Sequence, residues 1–364
     1  EREREREMAR RRYCYSEVVP FTAMIIAECA SVGLSTLFKA ATLKGMSYRV
    51  FIVYSYAFSA LVLFPLAFIF HRKSSLPPFD ASLLGRLCLL GILGFSAQML
   101  GYKGIEYGSP TLGSAMSNLT PACTFVLAII FRMEKLALRS SSTQAKVIGT
   151  IMLISGAFVV ILYKGPAIIT TLSPTISLNQ PLPSSQSSWA IGGLLLAADY
   201  FLISIWYIVQ AQTVKKYPAE FVLVFLYYVC VTIISAPVCL IAEPNLSAWR
   251  IEADIALLAI IYSGVIGLAF GTLVHTWGLK LKGPVYVALF RPLSIAIAAI
   301  MGVIFLGDAL YLGSVVGAII ISVGFYVVMW GKTNEETINE EYGVCSVESP
   351  SAQNAPLLQS YVCK

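Results

Sequence analysis

Two acids stand where acids are rare. Glu28 lies in the middle of the apolar run Pro20 to Phe38, and Asp199 lies inside Ala197-Ala-Asp-Tyr-Phe201. A carboxylate at the centre of a membrane helix costs about 2.5 to 3.5 kcal/mol on insertion scales, so it normally faces a polar interior. Such a pair can bind a substrate ammonium or a proton and change ionisation between conformations; as structure alone, each would be a protonated group bonded to a neighbouring Ser, Thr or Tyr. Arg291, just before Pro292, is the embedded base of the second half. Proline removes a backbone donor and frees carbonyls, so Arg291 beside a broken helix offers a cation and backbone acceptors to a carboxylate, or else it snorkels to the cytoplasmic face. Asn118 with Pro121 is the counterpart in the first half, as a polar contact to cargo or an interhelical hydrogen bond. His275 can titrate near neutral pH or serve as an interfacial packing residue beside Trp277. Gln98, Tyr102, Tyr200, Trp206 and Tyr207 complete the candidates, as aromatic and polar lining for a cationic ligand or as interfacial anchors.

The surrounding chain decides what medium these groups occupy. Of 364 residues, 57% are hydrophobic and 13% charged, and the mean hydropathy is +0.75, against roughly 45 to 50% apolar and about 25% charged in soluble domains. This is the composition of an all-α polytopic membrane protein. The net charge of +6 comes from Lys and Arg beside the apolar runs, which is a topology signal and not a nucleic-acid surface. The eight Cys form no CxxC pair, so neither a disulfide framework nor a metal site is indicated. No HExxH, phosphate-binding Gly loop or pairable nucleophile and base appears, so neither an enzyme nor a cofactor is expected. The first apolar run reads as an uncleaved signal anchor.

Ten spans are predicted: Pro20 to Phe38, Arg49 to Phe70, Leu83 to Tyr102, Thr111 to Phe131, Lys146 to Tyr163, Trp189 to Gln210, Ala219 to Ile241, Ala253 to Trp277, Val285 to Phe305 and Leu310 to Trp330. They group as a tail over 1–19, a five-helix unit over 20–163, a Ser/Thr/Pro-rich non-cytoplasmic loop over 164–188, a second five-helix unit over 189–330, and a disordered cytoplasmic tail over 331–364. With the N-terminus inside, eighteen Lys and Arg fall on the cytoplasmic side and six outside, with Arg86 and Arg291 within spans, so both termini are expected in the cytoplasm. A repeat underlies the grouping. Thr42-Leu-Lys44 recurs as Thr213-Val-Lys215, Pro65 as Pro237, Gly94 as Gly267, Pro121 as Pro292, and Gly149 and Gly156 as Gly317 and Gly324, at offsets between 168 and 173. Glu28 and Asp199 stand 171 apart, in the same register. Five spans per unit is odd, so the second unit enters from the opposite side, and an inverted repeat suits alternating access about a site near the midplane.

Particular runs also carry a resemblance. Ser117-Asn-Leu-Thr-Pro-Ala-Cys-Thr-Phe125, Phe131-Arg-Met-Glu-Lys-Leu136, Lys216-Tyr-Pro-Ala-Glu220, Gly283-Pro284 and the ending Gly317 to Lys332 resemble the plant EamA-type transporters of the drug/metabolite transporter superfamily. Within these the chain is similar to the nodulin-like, walls-are-thin-related group (WAT1-related), also called usually-multiple-acids-move-in-and-out transporters. The resemblance covers about Val18 to Lys332 and implies ten helices in two EamA units and movement of amino acids or related small metabolites, often as facilitated export, with the plasma membrane ahead of the vacuolar one. It assigns no role to Glu28 or Asp199. Partners are then the lipid bilayer and a small-molecule substrate, with no nucleic acid. Auxin-like acids and nucleobases are the other cargo classes; phosphorylated sugars would need several midplane bases where this chain offers at most Arg291. A non-transporting scaffold or receptor is the alternative of another class, disfavoured by short loops.

Overall fold

Backbone polar groups in hydrocarbon have no water to bond, so a span must close its hydrogen bonds on itself. The computed structural model meets this demand with helices almost throughout. It describes residues 18–71, 80–108, 110–117, 119–131, 133, 140–163, 166–169, 186–251, 254–291, 293–301 and 310–347. In chain order these are α1 (Val19–Leu43), α2 (Tyr48–His71), α3 (Ala81–Tyr107), α4 (Pro110–Met116), α5 (Leu119–Ile130), α6 (Ser141–Leu162), α7 (Gln186–Lys216), α8 (Glu220–Ala242), α9 (Ile255–Tyr262), α10 (Gly271–Leu281), α11 (Pro284–Ala288), α12 (Leu293–Met301) and α13 (Leu312–Val347). A π-helical stretch, Ser263–Phe270, joins α9 to α10 without a break. Seven segments are long and apolar enough to cross a membrane: Val19–Leu43, Tyr48–Phe70, Ala81–Tyr107, Leu112–Ile130, Ile191–Lys216, Glu220–Ala242 and Ile255–Leu281.

The prolines that pair in the repeat also shape the backbone in pairs. Pro65 and Pro237 sit inside α2 and α8, which pack on each other. Pro121 and Pro292 mark breaks. A proline cannot donate to the carbonyl four residues earlier, which is Ser117 for one and Ala288 for the other. At both sites a tighter bond takes over: Thr120 N–H donates to the Ser117 carbonyl at 3.0 Å, and Arg291 N–H to the Ala288 carbonyl at 3.2 Å. α4 therefore ends at Met116 and α5 begins at Leu119, while α11 ends at Ala288 and α12 begins at Leu293. The two breaks touch, with Ser117 Oγ 3.3 Å from the Arg291 carbonyl and 3.2 Å from Ser294 Oγ.

Packing follows the same exchange of halves. α3 lies against α7 much as α1 lies against α9 and α10; α5 meets α7 as α12 meets α1; α2 pairs with α8 and α6 with α13. At one end, Arg49 and Ser47 reach the Glu243 carboxylate at 3.1 and 2.9 Å, and Lys44 reaches Asp254 at 3.1 Å. At the other, Lys216 donates to Ser82 Oγ at 3.0 Å and Lys280 to Glu220 at 2.5 Å.

Beside the helices, Ala167–Ile169 (β1) pairs antiparallel with Leu310–Tyr311 (β2) in a short ribbon. α13 runs on past residue 331 as far as Val347. Extending a formed helix adds a bond per residue without a new nucleus, and Glu335, Glu336, Glu340 and Glu341 are good helix formers.

Candidate functional site

Between α1, α3, α7, α8, the π segment and α10 lies a cavity of about 170 Å³. Of the residues singled out from sequence, Asp199, Arg291, His275, Gln98, Tyr102 and Trp206 all line it, as do Tyr200 and Tyr207. Pro121 is buried in the first turn of α5, where a missing N–H costs no helical bond. Asn118 and Pro292 fall outside the described residues.

The expected symmetry of the two acids is only half realised. Asp199, on α7, opens on the cavity and faces Gly101 of α3. Glu28, on α1, has no solvent exposure and is not part of the cavity wall. It sits behind two residues that are: Oε1 lies 3.7 Å from Arg291 Nε and 3.6 Å from His275 Nε2. Neither Glu28 oxygen has a hydrogen-bond partner among the described residues, nor does His275 Nε2. Arg291 meanwhile donates from Nε and Nη2 to the Tyr207 hydroxyl at 3.1 and 2.8 Å. It points inward and is not snorkelling, since only 12% of its side chain is exposed.

The asymmetry has a sequence cause. The repeat places Thr120 where Arg291 stands, in the 171-residue register of Pro121 and Pro292, and Tyr102 where His275 stands, in the 173-residue register of Gly94 and Gly267. The first unit therefore lends Asp199 no guanidinium, whereas the second lends Glu28 Arg291 and the imidazole of His275. In a low-dielectric interior a lone charge is far costlier than a paired one; Glu28 has Arg291 within 3.7 Å, whereas Asp199 opens on the cavity.

The remaining lining was not anticipated. Ser31 and Ser35 come from α1, Tyr56 from α2, Tyr227 and Tyr228 from α8, and Thr272 from α10. Tyr228 hydroxyl and Thr272 Oγ1 are 2.7 Å apart, and Tyr56 hydroxyl donates to the Gly94 carbonyl at 3.3 Å. The signal available in the sequence was position: these tyrosines lie mid-span, where an interfacial anchor would be out of place. Ser31, Ser35, Tyr200 and Arg291 also line a second, 20 Å³ void running to Ser114, Ser117 and Ser294 at the helix breaks.

A cavity walled by helices of both halves, with two proline breaks meeting beside its one guanidinium, is the geometry of a carrier. The EamA-like transporter family model matches twice, over residues 21–162 and 190–330. The chain belongs to the EamA-like transporter family. Within it, the chain is 56% identical over 356 residues to WAT1-related protein At5g40240 of Arabidopsis thaliana, covering 96% of this chain and 95% of that one. It is 50% identical over 361 residues to WAT1-related protein At3g28050 of the same plant, covering 96% and 98%. A crystal structure matches with a TM-score of 0.57 over 86% of this chain and 99% of its own, at 16% identity, which shows a shared fold. This EamA-like protein is thus a plant WAT1-related, multi-pass integral membrane transporter whose family unit occurs twice.

Proposed function

We propose that the protein is an alternating-access carrier of free amino acids, working as an exporter at the plasma membrane with both termini in the cytoplasm. The observation that carries this reading is the presence of one acid, Asp199, and one guanidinium, Arg291, on the walls of the same small cavity. A zwitterion offers each its complement: carboxylate to Arg291, ammonium to Asp199. At about 30 Å³ per water, 170 Å³ holds about five or six waters, a size suited to a small metabolite. Tyr56, Trp206, Tyr227 and Tyr228 add π faces beside the ammonium. The exchange of packing partners between halves supports ten spans arranged as an inverted repeat, with the cavity at the axis relating them.

The aromatic wall favours one second reading, a flat aromatic acid of the auxin type. Such cargo carries no ammonium and leaves Asp199 uncompensated, so the two readings separate in an assay. Purified protein in proteoliposomes is loaded with each of the twenty amino acids and, separately, indole-3-acetate, and efflux is followed. Amino-acid flux lost in Asp199→Asn and Arg291→Gln supports the first reading. Indole-3-acetate flux that survives Asp199→Asn supports the second, and no flux of either kind favours a non-transporting role or another metabolite.

A further inference from the structure

Glu28 is the group that the cavity does not explain. It is fully buried, it is outside the cavity wall, and both its oxygens lack a hydrogen bond among the described residues. Yet the two groups it faces, Arg291 and His275, line that wall. Arg291 is therefore approached from two sides: from behind by Glu28, and from the cavity by any carboxylate that enters. We propose that Glu28 is a resident stand-in for the cargo carboxylate, and that cargo takes its place as the counter-ion of Arg291 only as Glu28 gains a proton.

The geometry supports an exchange over a simultaneous clamp. At 3.7 Å from Nε the Glu28 carboxylate is a charge partner and not a hydrogen-bond acceptor, and the donors of Arg291 that are bonded go to Tyr207. Its release sacrifices Coulomb attraction and no hydrogen bond. With Glu28 and Asp199 already in the field of Arg291, a cargo carboxylate would be a third acid about one buried guanidinium, the arrangement in which like charges favour protonation of one of them. The packed elements place other groups around Glu28 and Arg291. Tyr207 and Tyr200 on α7 carry neutral phenols, α4 and α12 carry no titratable residue, and Tyr262 on α9 donates to the Ala30 carbonyl at 3.3 Å. Asp199 shares the field of Arg291 from the cavity side and is matched by the cargo ammonium. His275, with Nε2 facing Glu28 and its ring at the cavity, is the route by which a proton reaches the carboxylate from cavity water.

The balance is simple: a neutral zwitterion and one proton are taken up, the proton ends on a Glu28 oxygen, and the loaded site carries one more positive charge than the empty one. Cargo binding is then proton-linked, one proton per cargo molecule. This inference rests on the carrier reading but not on the cargo being an amino acid.

The test is calorimetric binding to the full-length protein in detergent, using the amino acid that gives the largest flux and acetate as a second probe. Titration in buffers of different ionisation enthalpy counts protons bound. The expected result is about one proton per ligand for wild type at a pH where Glu28 is ionised in the empty protein, with affinity falling about tenfold per pH unit as pH rises through the Glu28 titration. In Glu28→Gln, binding persists, proton uptake is lost and that part of the pH dependence disappears; a purely structural Glu28 would instead weaken binding equally at every pH. Zero protons per ligand across the pH range in wild type overturns the proposal even if the variant fails to fold, as does unchanged uptake in a folded Glu28→Gln. If no amino acid binds but acetate does with one proton, the amino-acid reading fails and the exchange stands.

Discussion

Gly101→Ala should weaken amino-acid binding while leaving the fold intact. A methyl group built on Gly101 would lie 2.5 Å from Asp199 Oδ2 and 3.0 Å from Cγ. Ordinary contact for such a carbon begins near 3.4 Å, so the carboxylate must retreat by about 1 Å. An Asp side chain can turn by rotation about its own bonds, so the strain falls on where the carboxylate points and not on the α3–α7 backbone. Misplacement of a binding group by about 1 Å costs up to about 100-fold in function, and a loss of 10- to 100-fold in affinity corresponds to about 1.4 to 2.7 kcal/mol. The assay is concentration-dependent flux in proteoliposomes, paired with thermal unfolding of the same preparation. The expected outcome is a raised KM for amino acids, little change for indole-3-acetate if it is carried, and a midpoint close to wild type. Gly94→Ala is the contrast. Its methyl would strike the Tyr227 hydroxyl, and a packed tyrosine ring cannot rotate away, so that variant should lose stability as well. An unchanged amino-acid KM in a folded Gly101→Ala would refute the placement of the cargo ammonium at Asp199.

Three further outcomes follow from other parts of the molecule. A methyl on Gly149 would meet the Gly324 carbonyl at 2.7 Å and Val328 N at 2.9 Å, both backbone atoms of α13; Gly149→Ala should therefore cost about 1 to 3 kcal/mol by forcing α6 from α13, read as a lower unfolding midpoint. Lys39 Nζ donates to the carbonyls of Ile105, Glu106 and Gly108 at 3.0 to 3.2 Å and so caps α3; Lys39→Met should cost about 1.5 to 3 kcal/mol, with amide exchange rising first at the end of α3. At the loop, the Ile255 backbone N–H and then Lys44 hold the Asp254 carboxyl below its ordinary range. A depressed carboxylate keeps its contribution above the unfolded value and loses it as pH falls through the folded one. The Lys44 to Asp254 link should thus be indifferent to pH between 5 and 7 and open only on acidification below the usual Asp range, measured by the Asp254 carboxyl resonance in wild type and Lys44→Met.

What was legible in the sequence was whatever repeats or whatever is expensive. The breaks near Pro121 and between Ala288 and Leu293 lie where a missing proline donor acts on its own helix, four residues back, with no knowledge of neighbours needed. Asp199 and Arg291 announced the cavity because charge in an apolar run demands a reason. The unequal fate of Glu28 and Asp199 was written in the sequence too, though not in either acid: it lies in Thr120 and Tyr102 standing opposite Arg291 and His275 in the repeat. Symmetry predicted equivalent depth, and the departures from symmetry decided which acid meets a cation. The tyrosine wall was harder to see, since Tyr56, Tyr227 and Tyr228 come from α2 and α8 and share a surface only once those helices cross. An aromatic residue in a span has no cost large enough to betray its facing. Helices of both family units line the chamber, while Arg291 and His275, present in one unit alone, make its walls chemically different; under the proposed amino-acid reading, that difference gives a zwitterion a preferred orientation that two identical units would not.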